Sequence, residues 1–425
     1  MKKVVVTSIL FLMYLSVFSQ IVDIAVSGNP GTYKIYTEYK SNGIDYLVVL
    51  NGIDNTTQIE YTGTVGTTTS INWYKFSAPT NSISNQTYIS PEDATGYICN
   101  IDGKEITIWV IDYSKYVPAV SSFAPEEKPT EQCTELNLLL NANVPELSYY
   151  NRSNTKFTIE RKFSLAYKSL TWGGSAWTSK DVNNSVTLPA SVINVAEAPL
   201  CNTYFTLTGD QIAEDLGISN EFKTPLYNAV AVSCKVMTET TTRDEKNEGD
   251  RPSAITTLTG SAPLDIFFKS NGTNAVTGYY WTITKDKSLI ASRNTADHRF
   301  TFTEPAKYVV KVVVSNSYCS FADSVEVEVS ESALVMPRAF TPNSDGTNDE
   351  FRATYRSLKT FHCWIYNRWG RMLYSWSDPQ KGWDGKINGK KAAEGPYFYV
   401  VKAMGTDNIR YYRRGTFSLL RGGND

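Results

Sequence analysis

The chain reads as an all-β protein made of tandem β-sandwiches. Apolar residues alternate with period two along short runs: Phe157, Ile159, Phe163, Leu165 and Tyr167 in one, Val230, Val232, Cys234 and Val236 in another. That is the spacing of strands burying one face. Asp102-Gly103 separates two strand-like runs, 96–99 and 105–110, and its glycine supplies the positive φ of a two-residue hairpin. The helix signal worth drawing in the second unit is Thr208-Gly209-Asp210-Gln211, a capping box ahead of 212–216 with Gly217 as the stop, about two turns at most. A chain of 425 residues, 41% hydrophobic and 20% charged, has the composition of a folded protein of about two to four domains.

The elements follow in order. Residues 1–19 have the layout of a secretory signal peptide: Lys2 and Lys3, an apolar run over 4–18, then Val17 and Ser19 at the positions a peptidase reads before Gln20. The run is short for a spanning helix, and no later stretch reaches roughly eighteen apolar residues, so the exported chain is expected to be soluble or peripherally held. Residues 20–120 make the first expected sandwich. In it, Trp73 and Asp93-x-x-x-Tyr97-x-Cys99 resemble the strand C tryptophan and tyrosine corner of immunoglobulin domains, though no cysteine precedes Trp73 in the unit. Polar, proline-containing residues 121–132 read as a linker, 133–238 as a second sandwich and 239–254 as a second linker. Residues 255–331 resemble a PKD-type immunoglobulin-like domain through Ala262-Pro263-Leu264, Trp281 and Phe300-Thr301-Phe302 ahead of 306–310, with Thr284-Lys285-Asp286 in place of the usual Gly-Asp-Gly. Residues 333–425 form a terminal module, and the whole reads as tandem immunoglobulin-like sandwiches.

Six cysteines in an exported chain permit disulfides, and none shows the paired spacing of a zinc site. Parity places Cys201 with Phe205 and Leu207, and Cys234 with Val230 and Val232, so Cys201–Cys234 is the expected bridge, with Cys133 as rival partner of either. Charge is divided unevenly. The terminal module holds 15 Lys and Arg against 8 Asp and Glu, a formal +7, whereas residues 21–332 hold 24 against 35, a formal -11. Such a split suits docking of the terminus on an acidic protein surface. The basic residues are spread among strands, which argues against nucleic acid. The chain has two histidines, His298, expected in a solvated loop, and His362, expected on a strand's outer face; it has no G-x-S-x-G, H-E-x-x-H or phosphate loop. A non-enzymatic protein is expected.

The terminal module carries the chemistry worth testing. Residues 340–351, FTPNSDGTNDEF, set Asn343, Asp345, Asn348 and Asp349 around Gly346, which reads either as a candidate Ca²⁺ loop or as an Asx-turn capping its own backbone. Asn367-Arg368-Trp369-Gly370, with Arg371, forms an exit turn, and Trp383-Asp384 another. With Arg413 and Arg414 these are the candidate partner-docking residues, since tryptophan and arginine are enriched at interface hot spots; Trp383 reads equally as a core corner. The order FTPN-x-DG-x-ND-x-F, IYNRWG, GWDG, EG-x-Y-x-Y and G-x-F-x-L-L-R resembles the gliding-motility-associated C-terminal domain of Bacteroidota, the type B sorting domain of the type IX secretion system. Ser344 stands where that family usually has glycine, and Pro396 removes a ladder donor. The resemblance implies an immunoglobulin-like sandwich and passage across the outer membrane after Sec export. It also implies peripheral attachment to that membrane through a partner of the SprF or PorP type. The number and order of upstream domains also resemble PorA-type surface components. A surface adhesin or glycan-binding protein, acting through upstream loops that include Trp172 and Trp177, is the alternative.

Overall fold

The computed structural model describes residues 23–28, 31–66, 69–240 and 257–421. The expected signal peptide and positions 241–254 of the second expected linker lie outside them. The described chain is a succession of β units, with a separate hydrophobic core in each and a further cluster between the first two.

In the first unit, a three-stranded sheet (Ile24–Ser27, Gln58–Tyr61, Tyr88–Ile89) faces a five-stranded one containing Tyr46–Leu50, Ile71–Lys75, Thr95–Ile101 and Lys104–Asp112. Asp102 (φ 52°) and Gly103 (φ 90°) turn the last hairpin in the left-handed region, where a glycine costs least. Trp73 is fully buried opposite Cys99, and the Tyr97 hydroxyl accepts the Glu92 N–H at 2.8 Å, closing the tyrosine corner.

The second unit begins earlier than its charged composition suggests. Residues 121–125 of the expected linker belong to the strand Ala119–Pro125, which pairs with Leu136–Asn143 and is anchored by buried Phe123; Ser121, Ser122 and Pro125 ahead of the charged run 126–128 gave a strand with one wet face the composition of a linker. The expected helix is present at Gln211–Asp215. Its N-cap is Asp210, whose carboxylate accepts the Ala213 N–H, and not the Thr208 of the expected capping box, which lies in the Thr206–Gly209 strand.

The 230–236 segment corrects the sequence reading. It is not a strand of the second unit: Val232 and Cys234 are buried in the core around Trp281, and Met237–Thr240 pairs with Leu264–Lys269 of the third. Its backbone is tied there too, with the Ser233 and Lys235 N–H groups donating to Thr273 Oγ1 and the Ser270 carbonyl. Period two correctly marks the buried face; it does not say against which domain that face lies.

The disulfide follows the same logic. Cys133 bonds Cys319, 186 residues away, while Cys201 and Cys234 are free thiols, so the expected Cys201–Cys234 bridge gives way to a clasp between the second and third units. Trp177, weighed as a glycan contact, donates its indole N–H to the Asn271 carbonyl across the same junction. Changing Cys133 and Cys319 together to serine is expected to destabilise this junction by about 2–4 kcal/mol. The check is denaturant unfolding followed by limited proteolysis between the two units.

His298 is a further correction. It lies in the Asp297–Phe302 strand, 8% exposed, stacked on Phe268 at 5.3 Å between ring centroids and edge-on to Trp281 at 4.9 Å. Neither ring nitrogen has a hydrogen-bond partner. Burial, and then Arg293, lowers its pKa from the ordinary 6.5. Above that value the unfolded and folded states are both neutral here. As pH falls through it, the unfolded chain takes up a proton that the folded core resists, and stability is lost. Melting temperatures at pH 7.5 and 5 should therefore differ less in a His298→Phe variant than in the natural chain.

The last unit joins the third through polar contacts. Thr406 Oγ1 donates to the Ala262 carbonyl, Arg356 Nε donates to the Glu331 carbonyl at 2.8 Å, and the Ser261 and Ser357 hydroxyls meet. Its principal sheet runs in the order Ala339–Phe340, Arg410–Leu419, Gly395–Gly405, Leu358–Tyr366, Met372–Trp376.

Candidate docking surface

The interior of the terminal unit is aromatic. Phe340, Phe351, Trp383 and Phe417 are buried together, with Phe351 stacked on Phe417 at 3.6 Å. Burying each phenylalanine contributes roughly 1.5–3 kcal/mol. Phe340 and Phe351 thereby pin both ends of the 341–350 loop.

Within that loop the acceptor side chains serve the loop's own backbone. Asp349 accepts the N–H groups of Ser344 (2.6 Å) and Gly346 (2.8 Å), Asp345 accepts that of Thr347 (2.7 Å), and Asn343 accepts that of Asp345 (3.2 Å). The Asn343 amide donates to Asp345, and this bond, followed by the Thr347 N–H, holds the Asp345 carboxyl below its ordinary pKa. Asn348 contributes its backbone carbonyl to the Thr341 N–H. Among the described residues no three His, Cys, Asp or Glu side chains are grouped as metal ligands. These are the hydrogen bonds of an Asx-turn that caps its own backbone.

The nine candidate docking residues do not form one surface. Asn367 organises its turn by accepting the Trp369 and Arg371 N–H groups at 3.0 and 2.9 Å, with Gly370 at φ 77°. The turn projects Trp369, 78% exposed, with the Arg368 guanidinium 4.9 Å from its ring centroid. Trp383 is a correction: it is 0% exposed, and its indole N–H donates to the Lys386 carbonyl, so no partner can reach it. Asp384 caps the Lys386 N–H and pairs with the Lys386 ammonium at 3.2 Å. Arg413 and Arg414, adjacent in sequence, necessarily point to opposite faces of their strand.

What the turn motifs did not reveal is the outward face of the principal sheet. Register sets His362, Lys402 and Tyr412 in one row, Trp364, Val400 and Arg414 in the next, and Tyr366, Phe398 and Thr416 in a third. His362 lies 4.2 Å from Trp364 between ring centroids, and Lys402 sits over both Trp364 (6.0 Å) and Tyr412 (5.6 Å). Together they line an open groove of about 470 Å³. Tyr412 is 62% exposed and Phe398 42%. None of Lys402, Arg410, Arg413 and Arg414 has a carboxylate within 4.0 Å among the described residues, while Lys381 and Lys386 nearby pair with Asp378 and Asp384. The signal in the sequence was the second phase of the alternation: a solvated face would be polar, and here it carries His362, Trp364, Tyr366, Phe398 and Tyr412.

Comparisons with known proteins define the class. Residues 125–224 match the model of the fibronectin type III domain (Fn3_FA), in agreement with the sandwich seen there. Residues 334–417 match the CHU_C type IX secretion signal domain. The protein is an all-β chain of fibronectin- and immunoglobulin-like sandwiches ending in a type IX secretion signal domain, and that domain marks it for secretion to the cell surface or beyond. No curated protein matches the chain. Among solved structures it is similar to a tetra-tandem repeat from the extending region of a large adhesion protein, at 10% identity over 88% of this chain and 98% of that one, with a TM-score of 0.23. It is also similar to the FN1–FN3 domains of chicken CNTN1, at 9% identity over 70% and 97%, with a TM-score of 0.27. Sidekick-1 immunoglobulin domains 1–5 align at 12% identity over 92% and 77%, with a TM-score of 0.24.

Proposed function

We propose that the terminal unit is a docking module. It carries the chain to the surface and holds it there by binding an outer-membrane component of the secretion machinery, of the SprF or PorP type. The observation that supports this reading most is the aromatic and cationic sheet face, exposed on the secretion signal domain and without counter-ions among the described residues. Exposed aromatics beside arginine and lysine are the composition of interface hot spots. In this reading the upstream sandwiches do no catalysis; they extend outward as a spacer whose surfaces serve assembly or signalling, as a PorA-type surface component would.

The test is co-purification of the full chain with outer-membrane proteins. Replacing exposed Trp369 and Tyr412 by alanine should each weaken retention by about 2 kcal/mol or more while leaving the melting temperature unchanged. Undiminished capture of the double variant would remove this face from the interface.

A further inference from the structure

The sheet that bears this face is incomplete along one edge. The Arg410–Leu419 strand pairs along its whole length with Gly395–Gly405, but on its other side Ala339–Phe340 covers only Ser418 and Leu419. The Ser418 and Leu420 N–H groups point to that second side, donating to the Arg338 and Phe340 carbonyls at 3.0 and 3.1 Å. Register with the neighbouring strand is unbroken from 410 to 419, so the even-numbered amides of Tyr412, Arg414 and Thr416 point the same way. Among the described residues no strand pairs with them there. Their side chains stand on the outward face, in the rows that hold Lys402, Trp364 and Phe398.

We propose that this edge takes an extended acidic segment of a partner protein as one more strand of the sheet. The inference rests on the docking reading and names the chemistry of the docked partner. Main-chain groups of Tyr412, Arg414 and Thr416 supply the hydrogen bonds, as in other cases of strand addition. Charge selects the occupant. Among the described residues Arg410, Arg413 and Arg414 flank the edge without ion partners, and Lys402 lies one strand inward. Those cations repel a second copy of the same strand, which is how native edges avoid self-association, and attract a carboxylate-bearing one. Alternate side chains of the added strand fall beside Tyr412 and Arg414, so the segment joins acidic residues with apolar or aromatic ones.

The experiment uses the full chain and a fluorescein-labelled peptide of roughly nine residues, a usual strand length, alternating glutamate with valine and tyrosine. A second peptide of the same sequence carries backbone N-methyl groups at alternate residues, which removes the donors of one edge and keeps the charge. The first peptide should bind by fluorescence anisotropy, more weakly as salt rises, and should slow amide hydrogen exchange in residues 410–416 by at least about tenfold. N-methylation should weaken binding by at least about tenfold, because the main-chain bonds are lost. Equal binding of both peptides, or binding without slowed exchange, would reduce the edge to a charged patch and overturn the proposal; so would no binding. Thr416→Pro, which deletes one edge-facing N–H and no bond to Gly395–Gly405 and leaves the Tyr412 side chain in place, separates this inference from the docking reading. If that variant reaches the surface normally while removal of residues 333–425 abolishes display, strand addition fails and docking stands.

Discussion

Replacing Arg161 by methionine is expected to destabilise the first two sandwiches by about 3–5 kcal/mol, as removal of one partner of a buried ion pair does. Arg161 and Asp210 come from the second unit and are almost fully excluded from water. The guanidinium reaches the Asp210 carboxylate, donates to the Pro145 carbonyl at 2.7 Å and, across the junction, to the Tyr113 hydroxyl and Tyr116 carbonyl, each at 3.1 Å. Asp210 also accepts the Tyr113 hydroxyl at 3.0 Å. Burial, followed by the Asp210 charge, pushes the Tyr113 phenol above its ordinary pKa, so it keeps the proton it donates. Around the pair, Ile44, Leu47 and Trp109 of one unit pack with Tyr149, Ile212 and Leu216 of the other. Methionine would fill much of the space but leave a buried carboxylate without its cation and two carbonyls without a donor. Asp210→Asn keeps an N-cap for the Ala213 N–H, so the double variant should lose clearly less than the two single losses added together. Urea unfolding of the four proteins measures this; a loss under about 1 kcal/mol for Arg161→Met would mean that the apolar cluster alone fixes the junction.

That pair also marks the limit of what the sequence discloses. The helix start near 208–211 was readable, because capping is settled within a few residues, although the cap is Asp210 and not the Thr208 of the expected box. Nothing local joins Asp210 to Tyr113, 97 positions away, or to Arg161, 49 away. The hairpin at Asp102-Gly103, the tyrosine corner and the Asn367 turn were legible for the same reason that the helix start was: their chemistry is short-range. The Cys133–Cys319 bridge and the defection of 230–236 to the third unit were not, since period two reports a strand's faces and leaves its neighbour undetermined. At the terminal unit, attention to turn tryptophans found exposed Trp369 but also took in buried Trp383. The more continuous surface lay in the outward phase of three strands whose inward phase had already explained the fold.

Deleting residues 333–425 is expected to abolish surface display and leave a folded body in the periplasm. The two halves of that expectation have separate grounds. The signal domain spans residues 334–417, so export beyond the periplasm goes with it. The body should survive because the third unit meets the fourth through polar bonds, Ser261 to Ser357, Thr406 to Ala262 and Arg356 to Glu331, whereas the apolar residues of 334–419 pack with one another. Cutting at 333 therefore exposes little of the third core, and the core around Trp281, with its Cys133–Cys319 clasp, stays whole. Protease accessibility on intact cells should fall to background for the truncated chain, while the purified body keeps the thermal transition of its three sandwiches. Fusing residues 333–425 to an unrelated Sec-exported β domain should restore display, which separates carriage by the module from any signal in the body. A truncated body that still appears at the surface would place the address upstream of residue 333 and remove the docking role from the terminal sheet.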